Sequence, residues 1–290
     1  MPSNEQRRQA AKRKLERQLE RRAERARKRK QMTIVYTAAG VVVAVAVVAG
    51  IVLLTRGDDS STENTADDAT STSEQTAGAM PAGLLTPLAE TVSCAYPTDA
   101  APASKPNNPP RADGIPTTAP DATPSISMET SQGNIGLVLD GTKSPCTVNN
   151  FVSLAGQNYF DATTCHRLTT SPSLQVLQCG DPSGTGSGGP GYRFDNEYPT
   201  TAFDAADPAA QMPVTYSRGT IAMANAGAGT NGSQFFLVYG DSQLPPDYTV
   251  FGTIDETGLA TLDKIAAGGS TPEGDGTPNL TTDIKTVRID

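Results

Sequence analysis

The sequence predicts a mainly-β domain set behind a single membrane-spanning helix. Three observations carry this expectation. From about Pro124 onward, short apolar runs recur between clusters of Gly, Asn, Asp and Pro, the pattern of an all-β sandwich or barrel. Helical periodicity in that half is confined to two stretches. The first 56 residues join a polybasic block to an unbroken apolar run.

The 290-residue chain has a formal net charge of -8, unevenly distributed. Residues 1–31 hold thirteen Lys and Arg against four Glu, leaving 10 basic and 27 acidic residues for the remainder. Such asymmetry is a sorting signal more often than a property of a fold. Thr33 to Leu54, TIVYTAAGVVVAVAVVAGIVLL, is uncharged over 22 residues. At 1.5 Å per residue such a helix is ~33 Å long, enough for a hydrocarbon core of about 30 Å. A cleaved secretory signal fits less well, because its apolar region usually runs about 7 to 15 residues to a small-residue cleavage site. Here the run ends in Leu53, Leu54, Thr55 and Arg56. Residues 1–32 are therefore expected to be a basic cytoplasmic segment and 33–54 a transmembrane helix. That topology places the protein in the cell membrane as a single-pass chain, with everything beyond Arg56 outside the cytoplasm. The basic block has no aromatic residue to stack on bases and lies beside the span. Lipid headgroups, at about 1 kcal/mol per Lys or Arg, are thus the expected partner, and no nucleic acid is expected.

From Gly57 to Pro124 the composition shifts to Asp, Ser, Thr, Ala and Pro. Few apolar side chains can offset ordering entropy there, so residues 55–124 are expected to form a flexible extracytoplasmic linker with an r.m.s. span of roughly 45 Å. A short apolar patch, Ala82 to Leu88, and Cys94 interrupt the polar run and are candidates for packing on the domain.

Residues 125–290 form the expected domain, with strands near 125–130, 134–139, 164–169, 174–180, 219–224, 234–239, 249–255 and 283–290. A helix is expected after Ser144 as cap and Pro145 at its first position, with Val148, Phe151, Val152 and Ala155 on one face and Gly156 as its stop. A second, roughly Gly258 to Ala267, places Leu259, Leu262 and Ala266 on one face.

Three familiar chemistries find little support. His166 is the single histidine, so a His-based metal site or proton relay has little to work with, and a lone His in an apolar strand is usually packed and satisfied. The string GTGSGG, Gly184 to Gly189, is followed by Pro190 instead of a helix, so it reads as a tight surface loop and not a dinucleotide site. Cys94, Cys146, Cys165 and Cys179 lack paired CxxC spacing and, in an exported domain, point to two disulfides with three pairings open. Cys165 with Cys179 is attractive as a cross-strand pair. Strand parity opposes it, because Cys165 would share the face of Arg167 and Gln178 while Cys179 points away, unless a bulge in the loop between them repairs the mismatch.

The stretches CHRLTTSPSLQVLQCGDP, Cys165 to Pro182, and MANAGAGTNGSQFFLVYG, Met223 to Gly240, resemble the two active-site segments of cyclophilins, the peptidyl-prolyl cis/trans isomerases, here in a membrane-anchored bacterial form. The resemblance runs from near Ile126 to the C-terminus. It implies a closed eight-stranded antiparallel barrel capped by two helices, and isomerisation of X-Pro bonds in exported polypeptides without metal or cofactor. A monomer is the expected state. The chemistry suits these residue types. Rotation about an amide meets a barrier of ~18 to 20 kcal/mol because the nitrogen lone pair is delocalised into the carbonyl. A site that favours the twisted bond therefore needs only a cationic donor near that nitrogen and an apolar grip on the ring. The resemblance assigns the donor role to Arg167 and its orientation to Gln178. Ala224 and Asn225 would align the peptide, Gln234 would support them, and Val176, Phe236, Leu244 and Tyr248 would line the proline pocket. Alternation sends Phe235 to the core and Phe236 outward.

Departures from the family pattern are local. The Arg-to-Gln spacing has about three extra residues, leaving Leu174 or Gln175 as counterpart of a pocket Phe. Tyr248 replaces a pocket His and Gln243 a rim Trp, which implies weaker cyclosporin binding. The rival reading is a binding module or chaperone on the same fold with little turnover, but simple gripping would not require the Arg167 and Gln178 pair.

Overall fold

The structure, a computed structural model, describes residues 77–204 and 206–290. The expected basic segment, the span Thr33 to Leu54 and residues 55–76 lie outside them. Among the described residues no helix is long and apolar enough to cross a membrane.

Alternation of side chains organises the domain. β1 (Ser125–Thr130) and β2 (Asn134–Leu139) form an antiparallel hairpin that buries Ile126, Met128, Ile135, Leu137 and Leu139 on one face. After α1 (Pro145–Gly156) come β3 (Thr163–Thr164), β4 (Arg167–Ser171) and β5 (Leu174–Cys179). β6 (Thr220–Met223), β7 (Phe235–Gly240) and β8 (Val250–Ile254) lead to α2 (Glu256–Ala267), and β9 (Ser270–Thr271), β10 (Asp275–Pro278) and β11 (Asp283–Ile289) close the chain. These strands make one curled antiparallel sheet in the order β9-β10-β4-β5-β7-β6-β8-β2-β1-β11-β3. The terminal strand β3 and the nearby β4 are separated only by Cys165 and His166, so the expected eight-stranded barrel takes the form of a curled sheet broken at those two residues.

α1 is anchored by Phe151, whose ring centroid lies 4.9 Å from Phe160, 5.4 Å from Phe235 and 5.5 Å from Phe251. Its predicted cap is corrected: Ser144 makes no capping bond, and its hydroxyl donates to Val250 O at 2.7 Å. The cap comes from far along the chain. The Glu197 carboxyl accepts from the amides of Cys146 and Thr147 at 2.9 and 2.8 Å and from the Thr147 hydroxyl at 2.7 Å, satisfying free donors of the first helical turn. Gly156 is the last helical residue, and the left-handed turn is made by Asn158 at φ 55°. In α2 the side chain of Asp255 accepts from Gly258 N at 2.6 Å, while Leu262 and Ile265 enter the core.

Two disulfides are present, Cys94–Cys146 and Cys165–Cys179. The parity objection to the second fails because regular pairing begins only at Arg167, and Cys165 instead donates its amide to Thr282 O at 2.9 Å. The β4–β5 ladder itself runs without a shift from Arg167↔Gln178 to Ser171↔Leu174. The extra residues thus lengthen a regular hairpin, and the irregularity sits at its opposite end.

From residue 77 the stretch read as linker is held to the domain. Thr91–Val92 pairs with Ile115–Pro116, Cys94 is bonded to α1, and Tyr96 packs edge-on against Tyr192 and Phe194, each at 5.7 Å. Lys105 donates to the carbonyls of Asn158, Tyr159 and Asp161 at 2.7, 3.1 and 2.9 Å, satisfying the turn that follows α1. Of the apolar features singled out there, Cys94 is buried but Leu85 and Leu88 remain exposed.

Candidate active site

β7 is buried on both faces, which divides the apolar residues into two clusters. Phe235 and Leu237 point into the main core, while Phe236 and Val238 point the other way into a smaller cluster with Val176, Val214, Tyr216 and Ala222. Leu244 and Tyr248 pack on that second cluster, and so does Ala224, whose expected role was to align the peptide backbone. Tyr248 meets the Phe236 ring edge-on at 5.8 Å, so the Tyr that stands in for a His keeps an aromatic wall. Leu174 also joins this cluster. Gln175 does not; its amide donates to Ser242 Oγ at 2.9 Å. Of the two candidates, Leu174 is therefore the one that packs with the apolar cluster.

Strand register sets the polar half beside the apolar half. Arg167 lies opposite Gln178, Gln178 opposite Phe236, and Phe236 opposite Ala222, one row across four strands. With strands about 4.8 Å apart, the backbones of Arg167 and Phe236 are roughly 10 Å apart, a distance that their long side chains can bridge with a proline ring between them.

A chain of hydrogen bonds fixes the polar half. Asp275 on β10 accepts from Arg167 Nε at 2.7 Å and Nη2 at 2.8 Å. Arg167 Nη1 donates to Gln178 Oε1 at 3.2 Å, and Gln178 Nε2 donates to Gln234 Oε1 at 2.9 Å. Gln234 Nε2 ends the chain on the carbonyls of Gly186 and Gly188, both at 3.0 Å. Each amide is thus oriented by its neighbours on both sides. The Asp275 carboxylate lifts the Arg167 pKa further above its ordinary value, and the guanidinium in turn lowers that of Asp275.

The glycine-rich loop has a structural use. Asp181, buried, accepts from Ser183 N at 2.7 Å and Gly188 N at 3.0 Å, so the loop wraps a carboxylate of its own chain where a nucleotide motif would wrap phosphate. A Cβ on Gly188 would stand 2.0 Å from Asp181 Oδ1, which leaves no room for another residue. His166 is packed: burial lowers its pKa, and among the described residues neither ring nitrogen has a hydrogen-bond partner.

Asn225 uses its side chain to hold the surrounding loops, donating to Asp247 O at 2.8 Å and accepting from Gly227 N at 3.1 Å. Ala224 donates its amide to Gln234 O at 2.9 Å. Together with Gln178 and Gln234 they border a cavity of about 470 Å³. A second cleft, about 460 Å³, runs along Arg167, Gln178 and Asp275. Asp275, Met80 and Phe203, the last two packed on the apolar cluster, are among the site neighbours that sequence reasoning missed, as are Val214, Tyr216, Ala222 and Val238 within it.

Comparison with known proteins adds an independent line. The family described as "Cyclophilin type peptidyl-prolyl cis-trans isomerase/CLD" matches residues 125–289. "Probable peptidyl-prolyl cis-trans isomerase B" of Mycobacterium leprae is 60% identical over 200 residues, 69% of this chain and 67% of that protein. The protein of the same description from Mycobacterium tuberculosis is 59% identical over 198 residues, 68% of this chain and 64% of that one. The chain therefore spans about two thirds of the length of these relatives. A Cryptosporidium parvum cyclophilin type peptidyl-prolyl cis-trans isomerase, solved in the presence of the dipeptide Ala-Pro, is 29% identical with a TM-score of 0.46, covering 57% of this chain and 98% of that one. With the family's span matched from the first strand of the sheet to the last, this chain belongs to the cyclophilin-type peptidyl-prolyl cis-trans isomerases.

Proposed function

We propose that this isomerase acts on X-Pro bonds of exported polypeptides, held at the outer face of a membrane by Thr33 to Leu54. The observation that supports the site assignment is the row in which the oriented Arg167 and Gln178 stand beside the Phe236 cluster. The proline ring enters between Val176, Phe236, Leu244 and Tyr248. As the amide twists, its nitrogen lone pair localises, and the Arg167 guanidinium donates to it. Gln178 holds the guanidinium in place, and the Ala224 to Asn225 edge aligns the flanking peptide.

Arg167 then matters most in the twisted state. Arg167→Ala should lower turnover of an X-Pro peptide by at least ~10-fold, or about 1.4 kcal/mol, with a smaller change in affinity. Exchange NMR on such a peptide reports both quantities. Unchanged exchange in saturated enzyme would refute the assignment.

The extracytoplasmic placement rests on the 22-residue uncharged run behind thirteen basic residues. Protease added to intact cells should release a soluble domain. A chain that stays full-length until lysis would refute that topology.

A further inference from the structure

We infer that Asp275 is a positioning residue for catalysis, setting the angle at which Arg167 presents its guanidinium to the substrate. The inference rests on the role proposed above for Arg167. A guanidinium carries five donors in one plane, and a carboxylate that takes two of them along one edge fixes the plane as well as the position. Asp275 does this through Nε at 2.7 Å and Nη2 at 2.8 Å. The remaining hold on Arg167 is the longer bond from Nη1 to Gln178, at 3.2 Å. Arg167 is 38% exposed at its side chain, so without Asp275 it has open solvent into which to rotate. A displacement of about 1 Å in such a donor can lower a rate on the order of 100-fold.

The same carboxylate also opposes the positive charge that the twisted amide uses, so its net effect has to be argued. The Asp275 side chain is 56% exposed, and water screens its charge at that exposure while the direction of its hydrogen bonds persists. Orientation therefore outweighs neutralisation, and removal of Asp275 should slow the enzyme. Glu at this position, one methylene longer, can restore the fork only in part.

The test measures kcat and KM of the full chain on an X-Pro tetrapeptide for Asp275→Ala, Asp275→Asn and Asp275→Glu, beside Arg167→Ala and the double variant with Asp275→Ala. The expected result is a kcat lowered about 5- to 10-fold in the Ala and Asn variants, KM within about 2-fold, an unchanged melting midpoint and partial recovery with Glu. Asp275→Ala should add nothing once Arg167 is Ala. A kcat that is unchanged or raised in Asp275→Ala, or an equal loss in the Arg167→Ala background, overturns the inference. If Arg167→Ala itself leaves kcat intact, the proposed catalytic role of Arg167 fails instead.

Discussion

Phe236 and Arg167 stand in the same row of the sheet but are proposed to act on different parts of a bound peptide, so their removal should read differently. Phe236 is 5% exposed, with Tyr216 at 6.3 Å and Tyr248 at 5.8 Å from its ring. Phe236→Ala opens the floor of the proline pocket, which should raise KM as well as lower kcat and cost about 3 kcal/mol of stability. Kinetics well below the melting midpoint separate these effects, and an unaltered KM would show that the ring sits elsewhere. The rim predicts weaker cyclosporin binding, because Gln243 is exposed and offers no aromatic face. Nanomolar inhibition in a titration would contradict this. Arg167, Gln178 and Phe236 were legible because each lies inside a dense local motif. Asp275 was not, since it lies 108 residues from Arg167 in a Gly- and Pro-bearing stretch that reads as a turn. Only the pairing of β10 with β4, where Asp275 faces Thr169, brings it diagonally across to Arg167.

At the scale of elements, the longer strands were legible from alternation, while the short β9 and β10 and the ends of the helices were not. Ser144 and Pro145 locate the start of α1 because Pro tolerates the first turn, yet the group that satisfies the free amides is Glu197, 51 residues from Cys146. Burial pushes the Glu197 carboxyl up to about 7 from its usual 4.5, against the three donors that favour its charged form. The stability tied to its proton is fully present below the unfolded pKa of about 4.5 and is lost as pH rises through about 7. Glu197→Gln removes that titration and places an amide NH₂ where the helix offers only donors. It should lower stability by about 1 to 3 kcal/mol and flatten the fall in melting midpoint between pH 5 and about 7.5. A variant that melts with the wild-type pH slope would exclude Glu197 as its source. Cys165 with Cys179 carries the same lesson: parity is a rule about continuous strands, and the break at Cys165 and His166 removes its premise.

For the molecule as a whole, the catalytic domain is larger than its strand pattern suggested. Composition read residues 55–124 as a coil because apolar anchors are sparse there, and the buried ones, Cys94, Ile115 and Ala122, are isolated along the chain. What holds 77–124 is mostly invisible to composition: a disulfide, an edge-on tyrosine, and a lysine serving three carbonyls. The M. leprae likeness covers 200 residues, more than the family's own span of 125–289, so it too extends beyond the sheet. Cutting at either border should therefore have unequal effects. A chain starting at residue 77 keeps every one of these contacts and should isomerise X-Pro peptides with the kinetics of the full chain. A chain starting at residue 125 loses the Cys94–Cys146 bridge, whose separation of 52 residues corresponds to about 4 kcal/mol of chain entropy. At about 2 to 4 °C per kcal/mol for a domain of this size, its melting midpoint should fall by about 8 to 16 °C from that bridge alone. Loss of Tyr96 and Lys105 deepens the fall, since both serve groups near α1 that would otherwise face the cut. Adding reductant should narrow the difference between the two truncations without closing it, because the tyrosine and lysine contacts survive reduction. Calorimetry on both, with and without reductant, decides the matter: equal midpoints would mean that 77–124 rests on the domain without stabilising it.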